Sequence, residues 1–314
     1  MPSSVSGTLP AMPQSLVAFV ILFTGAALLR GFALLDRSHA ERLASFVFSI
    51  SLPATILVSL DAIQFPHTAW KLPLAAALVT LPLLLLVWPL THTLHLPRLS
   101  RGGFLLGAGC INSVYFAYPV ILATLGEAGL AQAILFDLGQ TTLTLTVLYG
   151  LALWHGTAPT HGPSAMKRFL TAPPLWSLAV VLGLKLFGLG LPSWLREVLV
   201  PLHMTTTPLA SLVLGLSMSW SGRNTFGLAA LGALVRMGGG LLLGIAAADV
   251  LHLVGVERTV VILVAGMPSA VTALIFAAEA GLDEDLVASI VALSVAVGIG
   301  LLPWLPQFAD WLMQ

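Results

Sequence analysis

Charged residues are scarce in this sequence. Asp, Glu, Lys and Arg make up only 8% of the 314 residues, whereas 58% are hydrophobic. A soluble globular domain carries about 25% charged residues, so this composition excludes a fold surrounded by water. Acidic and basic residues balance at 13 each, and no basic excess indicates nucleic acid as a partner. We therefore expect an integral membrane protein whose surroundings are the lipid bilayer.

Cysteine is almost absent, and the histidines lack a metal-binding pattern. The single cysteine, Cys110, excludes an internal disulfide and a cysteine-based metal site. None of the eight histidines belongs to an HExxH motif. His92 and His95 could share one helix face, where an ordinary pair at the membrane interface is favoured over a metal site. We expect no metal centre and no organic cofactor.

Motifs of enzymes and of ATP-driven pumps are also missing. The run Gly238-Gly239-Gly240 has no P-loop pattern around it, and it favours close helix packing instead. Ser217 lacks the nucleophile-elbow pattern. No nucleophile–base pair or carboxylate pair lies at one depth. These absences argue against an intramembrane enzyme and against direct ATP drive.

Apolar runs of about 20 residues, the length that crosses a bilayer, follow one another along the chain. They predict ten spans, at residues 15–34, 43–62, 71–91, 102–124, 129–152, 173–191, 199–220, 228–254, 259–280 and 284–305. The longest connection is about 153–172, which leaves no room for a separate soluble domain. The tail from Met1 to Gln14 has no Lys or Arg, so we expect no cleavable signal peptide.

Basic residues at the span ends predict the orientation, because cytoplasmic loops are enriched in Lys and Arg. Those that flank connections 1–2, 3–4, 5–6 and 7–8 are Arg30, Arg37, Arg42, Arg98, Arg101, Lys167, Arg168 and Arg223. The opposite side has Lys71, Arg196 and Arg258. This bias predicts a multi-pass protein of the cell inner membrane with both termini outside, in the periplasm.

Two of the predicted spans are interrupted near their middle. One contains Ala108-Gly109-Cys110-Ile111-Asn112-Ser113 followed by Tyr118-Pro119, and the other contains Gly266-Met267-Pro268-Ser269. Backbone groups freed at a break find no water in hydrocarbon, so a break must be buried in protein or line a wet cavity. Paired breaks in the two halves of a chain indicate the binding site of a transporter.

The breaks divide the chain into matched halves. Ten spans form a 5+5 inverted repeat, with residues 1–152 and 173–314 as the repeats and 153–172 as a cytoplasmic connection. Each break lies in the fourth span of its half. The sequence Glu-Ala-Gly-Leu follows both, at residues 127–130 and 279–282.

Several short motifs resemble the auxin efflux carrier family over nearly the whole chain. They are Ser51-Leu52-Pro53, the series Asn112, Tyr118-Pro119, Gly126 and Gly129-Leu130, then Pro208-Leu209-Ala210 with Gly215, and Met267-Pro268 before Gly281 and Asp283. The stretch from Ser113 to Ala117 is bulkier than the glycine-rich version common in that family. Substrate identity is therefore not transferred from the family.

The resemblance implies an all-α fold like that of bile-acid and sodium–proton transporters. In such a fold, helices 1, 2, 6 and 7 form a scaffold, which we expect to mediate a homodimer. Helices 3, 4, 5, 8, 9 and 10 form a core in which helices 4 and 9 cross at their breaks. Bacterial members include transporters of malonate and related carboxylates, and plant members export auxin.

The candidate substrate site follows from the residues at the breaks. Proline suits the first position of a helix, where its missing N–H has no partner to lose, so Pro119 and Pro268 are predicted to start the second half-helices. Their positive dipole ends would then attract a carboxylate. Asn112, about halfway through its predicted span, can donate and accept hydrogen bonds. The other predicted site residues are Ser113, Tyr118, Met267 and Ser269.

Two ionisable side chains lie within predicted spans. Asp137 shares a helix face with Gln140, and it could hold a coupling proton, help Gln140 bind sodium, or act as a buried structural carboxylate. Arg236 could meet an anion. However, residues 237–254 nearly span the bilayer alone, which favours Arg236 extending to the cytoplasmic edge.

The sequence thus predicts a secondary transporter that moves a small organic anion by alternating access, either ion-coupled or facilitative. The alternatives are a channel or membrane sensor on the same fold and, as a weaker alternative, an intramembrane enzyme.

Overall fold

The computed structural model describes residues 12–64, 68–157, 170–218 and 225–313. Across these ranges, all regular structure is helical apart from one isolated two-residue bridge. Seven helical stretches are long and apolar enough to cross a membrane: Gln14–Gly31, Ser38–Asp61, Lys71–Thr93, Ser113–His155, Ser193–Ser217, Phe226–Val250 and Glu284–Leu312. The protein is therefore a helical, multi-pass membrane protein.

The helices follow one another in the order α1 Gln14–Gly31, α2 Arg37–Phe46, α3 Leu52–Asp61, α4 Lys71–Thr93, α5 Arg98–Gly109, α6 Tyr118–Leu143, α7 Tyr149–His155, α8 Pro173–Leu186, α9 Ser193–Met204, α10 Thr206–Ser217, α11 Phe226–Leu234, α12 Gly240–Val250, α13 Gly255–Ala265, α14 Thr272–Ala280, α15 Glu284–Leu301 and α16 Leu305–Leu312. Wider π-helical turns join neighbouring helices at Val47–Ser51, Ser113–Ala117, Thr144–Leu148 and Val235–Gly239.

Some predicted features have different bounds in the structure, and others lie outside the residues that the structure describes. The span predicted at 199–220 begins earlier, at Ser193. The tail up to residue 11, most of the 153–172 connection and the basic residues Lys167, Arg168 and Arg223 lie outside the described residues.

The chain reverses direction within α6. The stretch Ser113–His155 contains 43 residues, and a straight helix of that length would extend about 65 Å, twice the thickness of the hydrocarbon core. Gly126 breaks it with a φ of 66°, a left-handed conformation that favours glycine. The Tyr118 hydroxyl donates to Asp137 Oδ2 at 3.2 Å, so the arms before and after Gly126 lie side by side.

Helix contacts fall into two groups. In one, α10 packs on α1 and α2, while α3 packs on α8 and α9. In the other, α4 packs on α5, α6 and α12, α12 packs on α13, and α15 packs on α5, α11 and α14. The groups meet where α3 and α1 contact α6 and where α10 contacts the turn at 113–117.

Small residues allow the closest helix approaches. A Cβ added at Gly139 of α6 would lie 2.3 Å from the Pro73 carbonyl oxygen on α4, and one at Gly215 of α10 would lie 2.4 Å from the Phe23 oxygen on α1. Close backbone packing of this kind holds helices together where lipid removes the hydrophobic driving force. At the meeting of the two groups, Phe19 and Phe116 pack edge to face with ring centres 5.7 Å apart.

Candidate binding site at the paired helix breaks

The two interruptions lie directly against each other. Ile111 and Ser269 form an antiparallel bridge. The Asn112 N–H donates to the Pro268 oxygen at 2.9 Å, and the Ala270 N–H donates to the Cys110 oxygen at 3.1 Å. Each break therefore satisfies backbone groups of the other, which is how non-helical backbone survives at membrane depth.

Side chains reinforce this pairing. The side-chain amide of Asn112 donates to the backbone oxygen of Ser269 at 3.3 Å. The backbone N–H of Ser269 donates to Ser294 Oγ on α15 at 3.0 Å. Asn112 is only 2% exposed and Ser269 is fully buried. An amide has two N–H donors, so Asn112 can hold the second break and still offer a donor elsewhere.

The half-helices do not start at the prolines, so that prediction is wrong. Asn112 is the residue before the helical turn at Ser113–Ala117, and the helix runs on through Pro119 without interruption. Pro268 lies in the extended segment, and the second half-helix begins at Thr272. The Asn112 side chain makes no capping hydrogen bond there, but its backbone N–H pairs with Pro268, and the helix begins directly after this pairing, before Pro119.

A cavity of about 550 Å³ lies beside the paired breaks, within the range of small-molecule sites. The helix starts at Ser113 and Thr272 both contribute to its wall. The predicted residues that line it are Asn112, Ser113, Tyr118, Asp137 and Gln140. The opposite wall comes from α3, from the π-helical turn before it and from the start of α8, with Val47, Leu52, Ile56, Leu175 and Leu178.

The other predicted site residues lie elsewhere. Met267 and Pro268 line a separate apolar cavity of about 670 Å³ on the far side of the breaks, together with Phe116. Pro119 and Ser269 line neither cavity. The structure thus brings the first-break residues and the α6 residues together at one cavity, whereas Met267 and Pro268 line the other.

In the part of the first cavity's lining that the structure describes, Asp137 is the one Asp or Glu, and no residue is Lys, Arg or His. Its Oδ2 accepts from the Tyr118 hydroxyl at 3.2 Å and from the Thr141 hydroxyl at 3.4 Å. Among the described residues no cation pairs with it. A carboxylate at this depth faces a cavity rather than lipid, as membrane acids do.

Gln140 has both ends of its amide occupied by protein groups. Its Oε1 accepts from the Thr80 hydroxyl at 2.5 Å. Its Nε2 donates to the Gly109 oxygen and to Thr144 Oγ1, each at 3.3 Å. Gln140 therefore joins α4, α6 and the end of α5, and a role in ion binding would require these bonds to be rearranged.

Arg236 is fully buried, so the prediction that it extends to the membrane edge is wrong. The helical stretch around it begins at Phe226 and ends at Val250, which places Arg236 near the middle. Its guanidinium donates to the oxygens of Ala108, Gly109 and Ala265. The length of the apolar run could not predict that Arg236 is buried, because its three acceptors belong to helices that are distant in sequence.

A second polar cluster joins α3, α9 and the bend in α6, and sequence reasoning did not identify it. His203 Nε2 lies 3.0 Å from Glu127 Oε1, and His203 Nδ1 lies 3.2 Å from Thr55 Oγ1. The Ser59 hydroxyl donates to Glu127 Oε2 at 2.9 Å. Glu127 directly follows Gly126 and is the first residue of the Glu-Ala-Gly-Leu sequence at 127–130, so this repeated sequence was the signal that could have identified it.

Comparisons with known proteins agree with the class that this geometry defines, a helical membrane protein with two paired helix breaks. The sequence matches the model of the membrane transport protein family over residues 10–305. The chain therefore belongs to this family, the auxin efflux carrier family that its motifs resemble.

Two archaeal proteins are similar over most of the chain. An uncharacterized transporter of Methanothermobacter thermautotrophicus is 30% identical over 302 residues, covering 92% of this chain and 96% of that protein. An uncharacterized transporter of Methanocaldococcus jannaschii is 29% identical over 273 residues, covering 82% of this chain and 86% of that protein.

Proposed function

We propose that this protein is a secondary transporter that carries a small organic anion, a carboxylate in chemical class, by alternating access. The observation that carries the proposal is the 550 Å³ cavity walled by two helix starts, at Ser113 and Thr272. A helix start concentrates partial positive charge and unpaired N–H donors. Two such ends at one cavity, with Asn112 beside them, favour a carboxylate group.

Charge balance favours ion coupling. An ionised Asp137 and an organic anion would repel each other within one cavity whose described lining has no cationic side chain, and the low dielectric strengthens the repulsion. A proton on Asp137, or a sodium ion beside it, removes this conflict. We therefore propose symport, with Asp137 as the coupling residue and Gln140 as its neighbour.

The helix contacts support the ten-span architecture as part of this proposal. The first contact group corresponds to spans 1, 2, 6 and 7, the proposed scaffold, and the second to spans 3, 4, 5, 8, 9 and 10, the proposed core. The repeats would then be residues 1–152 and 173–314, joined by 153–172. Scaffold helices are also the proposed homodimer surface.

The cavity and the Glu127 contact lie at different levels along α3 and the turn that precedes it, which supports movement between two open states. The cavity contacts run from Val47 to Ile56, whereas the contact with Glu127 is made by Ser59, further along the chain. Glu127 belongs to the proposed core, while Ser59 and His203 belong to the scaffold. With both termini outside an inner membrane, this cluster would close the outer end and the cavity would face the cytoplasm.

Counterflow in proteoliposomes tests the proposal. Vesicles loaded with an unlabelled carboxylate should take up the labelled compound, across a panel of mono- and dicarboxylates with and without sodium. A carrier exchanges the two, whereas a channel, a sensor or an enzyme does not accumulate label. If no small carboxylate gives counterflow, the proposed substrate class is wrong.

Asn112→Ala should abolish this exchange while the protein still elutes as a single folded species. The substitution removes an amide that holds the second break at 3.3 Å and faces the cavity. Exchange at the wild-type rate in this variant would remove Asn112 from the site.

A further inference from the structure

We propose that Arg236 is the positioning residue of the paired breaks: one guanidinium caps the C-terminal ends of both first half-helices and so sets how the breaks meet. Nη1 lies 3.1 Å from the Ala108 oxygen and 3.5 Å from the Gly109 oxygen, at the end of α5. Nη2 lies 2.6 Å from the Ala265 oxygen, at the end of α13.

Helix ends create the need for such a residue. The last four carbonyls of a helix have no partner within it, and at membrane depth water does not replace one. The C-terminal ends also carry partial negative charge. Both α5 and α13 end at the breaks, so two negative ends converge on one place, and Arg236 provides donors and a positive charge there.

Arginine is suited to this task because of its shape. The planar guanidinium presents five donors in a fixed fork, whereas a lysine ammonium is a point charge on a flexible stem. Here the two terminal nitrogens reach different helices, which the single nitrogen of lysine cannot do with the same geometry. No described carboxylate forms an ion pair with Arg236.

The local backbone leaves room for the guanidinium. Arg236 lies in the π-helical turn Val235–Gly239, and Gly240 follows. A Cβ at Gly240 would lie 2.1 Å from both the Ala265 oxygen and Arg236 Nη2. Glycine is therefore required at 240 for Arg236 to bond α13, an observation independent of the hydrogen bonds themselves.

The capped ends connect directly to the candidate site. The Gly109 oxygen accepts from Gln140 on the cavity side and from Arg236 on the other side. Cys110 and Asn112 follow within three residues and form the paired segment. Loss of the cap should therefore loosen this segment, and the consequence for transport rests on the proposed function above.

The native cysteine reports on this loosening without any transport assay. Cys110 is the sole cysteine of the chain, is 1% exposed and directly follows Gly109. We would measure the rate at which a maleimide labels Cys110 in the purified, folded protein. Arg236→Met, which keeps the length but removes donors and charge, should label at least about tenfold faster than wild type, because a locally opened segment exposes the thiol.

Two further variants and a matched control complete the test. Gly240→Ala keeps the arginine but displaces its guanidinium, so it should also accelerate labelling if Arg236→Met does not fold. Arg236→Lys should restore slow labelling only in part. Arg258→Gln is the control, since Arg258 lies at the start of α13 and pairs with the exposed Asp249, and it should label at the wild-type rate.

Labelling of Arg236→Met and Gly240→Ala at less than about tenfold the wild-type rate would overturn the positioning role. Transport adds a second readout. If a carboxylate is carried, Arg236→Lys should lower the maximal rate more than it raises KM. Failure of the wild-type protein to move any carboxylate would refute the proposed function and leave the labelling result intact.

Discussion

Two ionisable side chains within the membrane-spanning helices lie on opposite sides of the paired breaks and have different partners. Arg236 directs its terminal nitrogens at backbone oxygens of α5 and α13. Asp137 accepts from the hydroxyls of Tyr118 and Thr141 and faces the cavity. Hydroxyls can reorient to suit either protonation state of a carboxyl group, whereas carbonyl oxygens accept only. Asp137 is therefore suited to exchange an ion, and Arg236 to stay fixed.

Asp137→Asn should uncouple transport from its driving ion. One pH unit corresponds to about 1.4 kcal/mol per proton, so a proton-coupled carrier can accumulate substrate about tenfold under that gradient. The variant should equilibrate substrate without accumulation, measured by uptake into proteoliposomes with an imposed proton gradient or, separately, a sodium gradient.

The control for this experiment is Asp249→Asn, because Asp249 is exposed and pairs with Arg258 at the protein surface. It should accumulate substrate like the wild type. Accumulation by Asp137→Asn at the wild-type level would assign coupling to another residue.

At the scale of elements, sequence reasoning located the breaks but not their details. Gly, Asn and Pro within long apolar runs indicated interruptions at 108–119 and 266–269, and the structure has non-helical backbone at 110–112 and 266–271. The helix starts were misplaced because proline preference is a local signal, whereas the first half-helix begins where Asn112 pairs with Pro268 of the distant second break. The burial of Arg236 depends on oxygens 128 and 29 residues away in sequence, which no local pattern contains.

The repeated sequence Glu-Ala-Gly-Leu also located an element without predicting its detailed backbone structure. It marks the end of the broken span in both halves, yet the left-handed glycine is Gly126 in the first and Gly281 in the second. Gly129, the counterpart of Gly281, lies inside α6. A short repeated sequence therefore predicts where an element ends, but it does not predict which residue makes the turn.

Gly139→Ala should destabilise the packing of α6 on α4. The added Cβ would lie 2.3 Å from the Pro73 oxygen, which is backbone and cannot rotate away. Overpacking of this kind costs about 1–3 kcal/mol, so the melting temperature measured by thermal denaturation in detergent should fall by several degrees. Gly150→Ala is the matched control because no atom lies within 4 Å of its added Cβ; equal melting temperatures for the two variants would contradict the close approach.

At the scale of the whole molecule, the helix groups touch through a small number of polar contacts outside the cavity. The Glu127 carboxylate contacts Ser59 on α3 and His203 on α9. The α3 and α10 segments are joined separately, by Thr55 to Thr206 at 2.7 Å and Ser51 to Thr205 at 2.8 Å. Those last bonds lie within one contact group, so relative movement of the groups breaks the Glu127 contacts and leaves the hydroxyl pairs intact.

Glu127→Ala should shift the balance between the two open states. The side chain of Glu127 is 45% exposed, so solvent screening limits its bonds to about 1 kcal/mol, a factor of about five in the equilibrium. In a Cys110→Ser background, Thr272→Cys on the cavity wall should react faster with a membrane-impermeant maleimide added from the side on which Glu127 lies. Glu197→Ala, at an exposed position of α9, is the control and should leave this rate unchanged. A rate for Glu127→Ala equal to that of the control would show that Glu127 does not hold the helix groups together at this end.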